Sequence, residues 1–358
     1  MMRDVAVVSF AQSGCDERNR RDDMAEILFP VLRGALEKAG ITKDDVGFVA
    51  SGSHDFFEGR TFAYIESLDA VGAWPPIAES HVEMDAAWAC YEAWAWLQLG
   101  EGDIAVVYGI GRGSLADDLD QVMQTQLDPY YLTPLRPHRD AIAGLQASAA
   151  VAAGLTSEQR MAEVVARSLA AATGNVNAFK SGIYTVSDLM AAPYVAAPLR
   201  VHDVAPPCDG AAVVVLAAGD AARRLATRPA WIRGMDHRMD THYPGLRDLT
   251  GIPSAREAAR RTSAMAGFEL SKVDLAEMHT EHSHNDALLS AAFTLSPRVE
   301  INPSGGPLSG KPMTATGLIR IGEAAQAILD GRAGRALAHA TSGPALQQNL
   351  VCLLEGES

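Results

Sequence analysis

The feature that most restricts the fold of this chain is a module that occurs twice. It consists of a helical apolar pattern closed by glycine, a short linker ending in an Asp/Val pair, and a strand. In the first copy, residues 23–39 carry helical spacing and stop at Gly40, and Ile41-Thr-Lys-Asp-Asp-Val46 leads into a strand at 47–51. In the second, residues 255–266 stop at Gly267, and Leu270-Ser-Lys-Val-Asp-Leu275 leads into Ala276-Glu-Met-His279. Glycine just beyond a helical pattern marks its end, because the residue there takes a left-handed conformation. The neighbours of the module repeat as well. A strand pattern precedes each copy, at 5–10 and at 231–235. A second helix and strand follow each: 85–99 ending in Gly100 and then 103–109, and 318–329 ending near Gly331 and then 335–339. Both halves close on strongly apolar strands, at 211–217 and 350–354. Apolar strands that alternate with helices belong to sheets covered on both faces. Two such halves packed together predict an α/β protein of five layers, α-β-α-β-α. The expected halves are 1–220 and 221–358. Residues 113–207, rich in Pro, Tyr and Ala with one clear helix at 157–173, form an excursion expected to serve as a lid or substrate-binding region.

Chemistry concentrates in Asn302-Pro-Ser-Gly-Gly-Pro-Leu-Ser-Gly-Lys-Pro-Met-Thr-Ala-Thr-Gly317, between a strand-like run at 298–301 and the helical pattern from 318. Its four glycines permit positive φ and close approach of another backbone or a ligand. It is neither a Walker loop nor a dinucleotide Gly-x-Gly-x-x-Gly turn. Composition narrows the classes further. The net charge of −14 argues against a nucleic-acid surface. Four scattered cysteines (Cys15, Cys90, Cys208 and Cys352) form no zinc spacing and no disulfide framework, which points to a reducing cytoplasm. The short apolar run after Arg3 and Asp4 leads us to expect no signal peptide, and no apolar stretch reaches the roughly 18 residues of a membrane span.

The Gly-rich segment resembles the C-terminal active-site loop of thiolases, Asn-x-x-Gly-Gly-x-x-x-Gly-His-Pro-x-x-x-x-Gly, with Lys311 standing at the catalytic His. Together with the duplicated halves and Cys208-Asp-Gly-Ala-Ala-Val-Val-Val215, it makes essentially the whole chain resemble the thiolase superfamily. Gly72-Ala-Trp-Pro-Pro76, Ser80-His-Val-Glu-Met-Asp-Ala-Ala-Trp88 and Gly317-Leu-Ile-Arg-Ile-Gly-Glu-Ala324 look most like the thiolase-like lipid-transfer proteins, related to the thiolase part of sterol carrier protein X. The resemblance implies a thiolase fold and carbon–carbon bond cleavage or acyl transfer on acyl-CoA thioesters, in acyl-CoA or steroid side-chain degradation. It implies no cofactor beyond the coenzyme A of the substrate.

The catalytic parts that the resemblance implies are only partly present. A thiolase carries a nucleophilic Cys at the N-terminus of a buried helix. Counting about seventeen residues back from Gly100, by analogy with the family, lands on Glu83, beside Met84, Asp85 and Ala86, with no cysteine. The loop that would hold the second Cys reads His339-Ala-Thr-Ser-Gly-Pro-Ala345, again without one, leaving Ser342 and Gly343 as candidate substrate contacts. The family's His-Asp-x-Phe motif corresponds to His279-Thr-Glu-His282, so His279 is the candidate carbonyl-polarising residue. Lys311 is the candidate base, imine former or enolate-stabilising cation. Asn302, Gly305 and Gly306 are expected to face the substrate. The histidines at 279, 282 and 284 have no HExxH spacing, and no metal is expected. Two functions follow: a cysteine-free enzyme acting on acyl-CoA, such as a retro-aldol lyase, or a non-catalytic or lipid-binding subunit of an active paralogue. Steroid aldolases of this family carry a tyrosine near the Gly-Gly loop, and none lies between Asn302 and Gly317. Expected partners are a second copy or a thiolase-like paralogue, and a small zinc-ribbon/OB-fold protein. Trp88, Trp94 and Trp96 offer more aromatic surface than one helix face hides, so residues 88–108 are expected to contribute to the dimer.

Overall fold

A computed structural model of the chain describes residues 3–72, 77–116 and 118–357, so most of the 72–76 stretch lies outside the described residues. Ten strands make the main sheet: β1 Val5–Gln12, β2 Phe48–Gly52, β3 Ala78–Val82, β4 Ile104–Arg112, β5 Asp209–Ala218, β6 Ala230–Met239, β7 Leu275–Glu277, β8 Glu300–Ile301, β9 Arg335–Ser342 and β10 Gln348–Glu355. Their order is β8-β7-β9-β10-β6-β1-β5-β4-β2-β3. Read outward from the β1–β6 junction, the two sides are copies. β1-β5-β4 is antiparallel, and β4-β2-β3 is parallel. β6-β10-β9 is antiparallel, and β9-β7-β8 is parallel. The copies meet over a short antiparallel pairing, Ala6 with Trp231 and Val7 with Ala230.

Four helices follow the same symmetry: α1 Met24–Ala39, α2 Ala86–Leu99, α3 Pro253–Ala266 and α4 Thr316–Leu329. α1 starts in a capping box, Asp23 with Glu26, and ends at Gly40 in the left-handed region. α2 and α4 are the middle layer. Their side chains merge with strand residues of both halves into one cluster around Trp88, Cys90, Leu318, Ile321 and Cys352. α1 covers the outer face of the first half, and α3 with Asn285–Ala292 covers that of the second. The order of layers is α-β-α-β-α, so α2 and α4 are buried nearly all round. That explains their small residues: a side chain on Gly52 would lie 2.5 Å from Ala86 Cα, where β2 meets the start of α2.

Two readings of the sequence change here. The excursion holds more than one helix. Besides Glu158–Ala171, capped by Ser157, it contains Leu119–Thr125, Ala141–Ala152 and Val186–Met190. The tryptophans do not form a surface. Trp88 and Trp94 are buried within this chain, and Trp96 stacks on Phe48 with ring centroids 4.9 Å apart, so their aromatic area gives no reason for residues 88–108 to join a dimer.

Candidate functional site

The parallel strands of the second half deliver their C-terminal ends to one place. β7 runs into Met278 and His279, and β9 ends at Ser342 beside Gly343. The helix N-termini of α2 and α4 reach the same place, because each crosses back under its sheet. A cavity of about 440 Å³ opens there. Its wall includes Asp85, His279, Glu281, Lys311, Ser342 and Gly343 from the two halves. The excursion closes the other side with Leu119, Met123, Leu127, Asp140, Ile142 and Gln146. This is the location expected for ligands of open α/β sheets, outside the carboxyl ends of the strands.

His279 is held from behind. Its ring Nδ1 accepts from the Thr341 N–H at 3.4 Å, and its own N–H donates to His339 Nδ1 at 3.4 Å. His339 continues inward, its Nε2 against Asn349 Oδ1 at 2.9 Å. Because Nδ1 accepts, the ring proton of neutral His279 sits on Nε2. Among the described residues Nε2 has no hydrogen-bond partner. Burial first, then the charge of Lys311, pushes His279 well below the ordinary histidine range, and burial pulls His339 down to about 4. His279 is therefore a neutral imidazole at pH 7, a directed N–H donor of the kind that stabilises an oxyanion.

Lys311 is pinned through its backbone: its N–H donates to the Pro206 carbonyl at 2.9 Å, and its carbonyl accepts from Cys208 N–H at 3.1 Å. Its ammonium pairs with Glu281. Burial pulls the amine down to about 8, and the charge of Asp140, then that of Asp85, acts in the opposite direction.

The site also contains a residue that sequence reasoning passed over. Asp85 stands where the family's nucleophile was sought. Its Oδ1 accepts from Ala87 N–H at 2.8 Å, and its Oδ2 from Gly317 N–H at 2.7 Å. One carboxyl thus joins the first turns of α2 and α4. Burial raises it to about 7 against the pull of those backbone donors. Its signal in the sequence is an Asp directly before an Ala-rich helix, the signature of an N-cap. None of the four cysteines lines the cavity; all are free. Cys90 lies inside the middle layer, and burial pushes its thiol up to about 12. Burial likewise raises Cys352, while contact with Cys15 and then burial raise Cys208.

The structure brings His279, Lys311, Ser342 and Gly343 to one cavity. It does not bring Asn302, Gly305 and Gly306 to its wall. Asn302 braces the His279 loop instead, accepting from Met278 N–H at 2.6 Å and donating to Thr280 Oγ1 at 2.8 Å. Ser304 N–H donates to Glu277 at 3.0 Å, and Glu277 pairs with buried Arg320 of α4. The two glycines admit protein, not ligand: a side chain on Gly306 would lie 2.6 Å from Asn302, and one on Gly305 2.6 Å from Ala172. Among the described residues no group of three or more His, Cys, Asp or Glu could hold a metal ion, and no helix is long and apolar enough to cross a membrane.

No protein-family model matches the sequence. The chain is 28% identical over 364 residues to acetyl-CoA acetyltransferase of Methanothermobacter thermautotrophicus, covering 93% of each. It is 27% identical over 277 residues to sterol carrier protein 2 of Gallus gallus, a match that spans 66% of this chain and only 50% of that protein. The solved structure named Ltp2-ChsH2(DUF35) aldolase superposes with a TM-score of 0.79 at 17% identity, over 98% of this chain and 97% of that one. Human mitochondrial 3-ketoacyl-CoA thiolase superposes with a TM-score of 0.81 at 14% identity, over 99% of both chains. The duplicated sheet and middle helices are the thiolase fold, and the chain is similar in sequence, nearly end to end, to an acetyl-CoA acetyltransferase and over 66% of its length to sterol carrier protein 2.

Proposed function

We propose that this protein cleaves a carbon–carbon bond of a β-hydroxyacyl-CoA thioester by acid–base chemistry, without a cysteine nucleophile. The supporting observation is the neutral His279, its Nε2–H unpartnered toward a cavity it shares with Lys311. In this reading the thioester oxygen sits at His279. Lys311 in its neutral-amine form, which burial makes accessible by bringing its pKa down to about 8, takes the β-hydroxyl proton, the Cα–Cβ electron pair passes into the thioester enolate, and Cβ leaves as a ketone or aldehyde. Asp85 keeps the two helix N-termini together at the cavity. A thiolate has no part in these steps, which fits the removal of all four cysteines from the cavity wall. The substrate is a lipid or steroid side chain, since Leu119, Met123, Leu127 and Ile142 make the excursion side apolar. The protein acts in the cytoplasm. It works as a dimer with itself or a thiolase-like paralogue, and with a small zinc-ribbon/OB-fold subunit. The fold neighbour named Ltp2-ChsH2(DUF35) aldolase supports both the reaction and the second kind of chain.

The second reading is a non-catalytic subunit that binds a lipid thioester for an active paralogue. The ion pair of Lys311 with Glu281 favours it, because a base already engaged by a carboxylate is a poor one. One experiment separates the two. The purified chain, alone and with candidate partners, is incubated with β-hydroxyacyl-CoA thioesters, and the products are followed by mass spectrometry. Release of a carbonyl compound and a shortened acyl-CoA, lost in Lys311→Ala and His279→Ala, is the expected result. Cleavage that survives both substitutions in the assembled complex assigns the chemistry to the partner.

A further inference from the structure

The cavity contains a second polar pair that the reading above leaves unused. Asp140 directly precedes the Ala141–Ala152 helix, yet its side chain caps no N–H of that helix. It is turned instead across the cavity to His282, with Oδ1 at 3.1 Å from Nε2. The two side chains are nearly buried, 8% and 12% exposed, and both line the cavity. With Nε2–H donated to the carboxylate, Nδ1 of His282 carries the lone pair, and among the described residues it has no hydrogen-bond partner. Asp140 is kept ionised. Burial pushes its pKa up, but the hydrogen bond and charge of His282, then Arg139 and His138, outweigh this and hold it below the ordinary range. The His282 backbone is fixed by Asn285 Oδ1 at 2.9 Å.

We propose that Asp140 and His282 form a proton-transfer dyad for the α-carbon of the bound thioester. The inference rests on the cleavage reading. A carboxylate that orients an imidazole and stabilises its charged form makes that imidazole a stronger base, as in other carboxylate–histidine pairs. In the cleavage direction, imidazolium His282 gives its Nδ1 proton to Cα as the enolate collapses. The proton that Lys311 took from the β-hydroxyl returns to His282 through solvent, so no proton is gained or lost. In reverse, neutral His282 removes a Cα proton while His279 stabilises the enolate oxygen. Because Asp140 belongs to the excursion and His282 to the second half, the dyad forms only when the excursion lies against the sheet.

Deuterium exchange tests this without knowledge of the acyl group. The full chain, with its partner if it requires one, is incubated with acetyl-CoA in D2O, and methyl deuteration is measured by mass spectrometry across pH. The titratable and charged groups that line the cavity with His282 are Asp140, Arg139 and His138 from the excursion, His279 and Glu281 on its own segment, Lys311 from the Gly-rich loop, and Asp85, His54 and Glu83 from the first half, with the His284 ring 5.8 Å away. Wild-type exchange should rise with pH through a midpoint that depends on both Asp140 and His282. His282→Ala should lower the rate by about a hundredfold or more, the usual range for a general base, and abolish that limb. Asp140→Asn keeps the shape but removes the charge. Its midpoint should therefore move to lower pH, by about one unit, with a lower plateau. That shift, read also in a Lys311→Ala background because the Asp140 carboxylate raises the Lys311 amine too, decides the matter if His282→Ala fails to fold, because a structural role would lower the rate and leave the midpoint in place. Wild-type exchange that persists in His282→Ala, or an unmoved midpoint in Asp140→Asn, overturns the dyad and leaves the cleavage reading standing. No exchange by the wild type removes both.

Discussion

The two middle helices occupy equivalent places in the two halves, yet they begin in opposite ways. α2 starts at Asp85, which caps its own second residue. α4 starts after Ala315, which has no side-chain oxygen to offer, and Thr316 Oγ1 is buried without a partner. The Gly317 N–H is satisfied from the other half, by the second oxygen of Asp85. The strand ends differ in the reverse sense. β7 leads into a buried histidine whose N–H points at the cavity, whereas β2 leads into Ser53 and His54, beside Glu83 on the outer wall. A duplicated topology thus carries an unequal division of labour. The first half supplies the joint that holds both helix starts, and the second supplies the polarising chemistry.

Substitutions that act on one half only sharpen this contrast. The largest effect belongs to the second half. His279→Ala should lower kcat on any cleaved acyl-CoA by at least about a hundredfold with little change in KM, since losing an oxyanion donor costs roughly 3–4 kcal/mol. A large rise in KM with kcat intact would make His279 a binding residue instead. Next is the joint. Asp85→Ala removes a cap and leaves the Gly317 N–H buried and unpaired, a loss of about 2–4 kcal/mol in urea unfolding. Thr316→Val, at the matching start of α4, should change stability by less than about 0.5 kcal/mol, because its hydroxyl has no partner to lose. Equal costs at the two sites would abolish the asymmetry.

The halves also differ in their response to pH. Asp85 is raised to about 7 from its ordinary 3.8, so its contribution to stability is full below about 4 and is lost as pH rises toward 7. His339 is lowered to about 4 from 6.5, so its contribution is full above about 6.5 and is lost as pH falls toward 4. Thermal melts from pH 4 to 8 should show the alkaline decline reduced in Asp85→Asn and the acid decline reduced in His339→Gln; the opposite pairing would refute the assignment. The smallest effect on activity is expected from the thiols. Alanine at Cys15, Cys90, Cys208 or Cys352 should leave activity within a few fold, with about 1–2 kcal/mol of stability lost at the buried sites. Inactivation by iodoacetamide that substrate prevents would restore a thiolate mechanism.

Much of the scaffold was legible because its signals are local. The glycines at 40, 100 and 267 end helices in the structure as their positions indicate, and the apolar runs became the inner strands. The Ala141–Ala152 helix was not legible: it is apolar on nearly every face, so no period separates it from an unstructured Ala-rich stretch. β3 was missed as well, being a polar edge strand of five residues. In the site, His279 and Lys311 came from motifs. Asp140 with His282 could not, since 142 residues separate them and only the folded excursion brings them together. Gly305 and Gly306 show a different limit. A sequence reveals that something must approach a glycine closely but not whether it is ligand or protein, and here it is Ala172 and Asn302.

The way the cavity wall is built bears on how such a protein diverges. His279, Ser342, Gly343 and Asp85 are continuous with strands and helices whose hydrogen bonds run back through His339, Asn349 and Ser254 to Asp240, so a change there is felt far into the core. Leu119, Met123 and Leu127 belong to a short helix without a buried residue and to its following loop. New substrates can therefore be acquired by drift on that one side of the cavity, while the reacting groups opposite stay fixed by the cost of moving them.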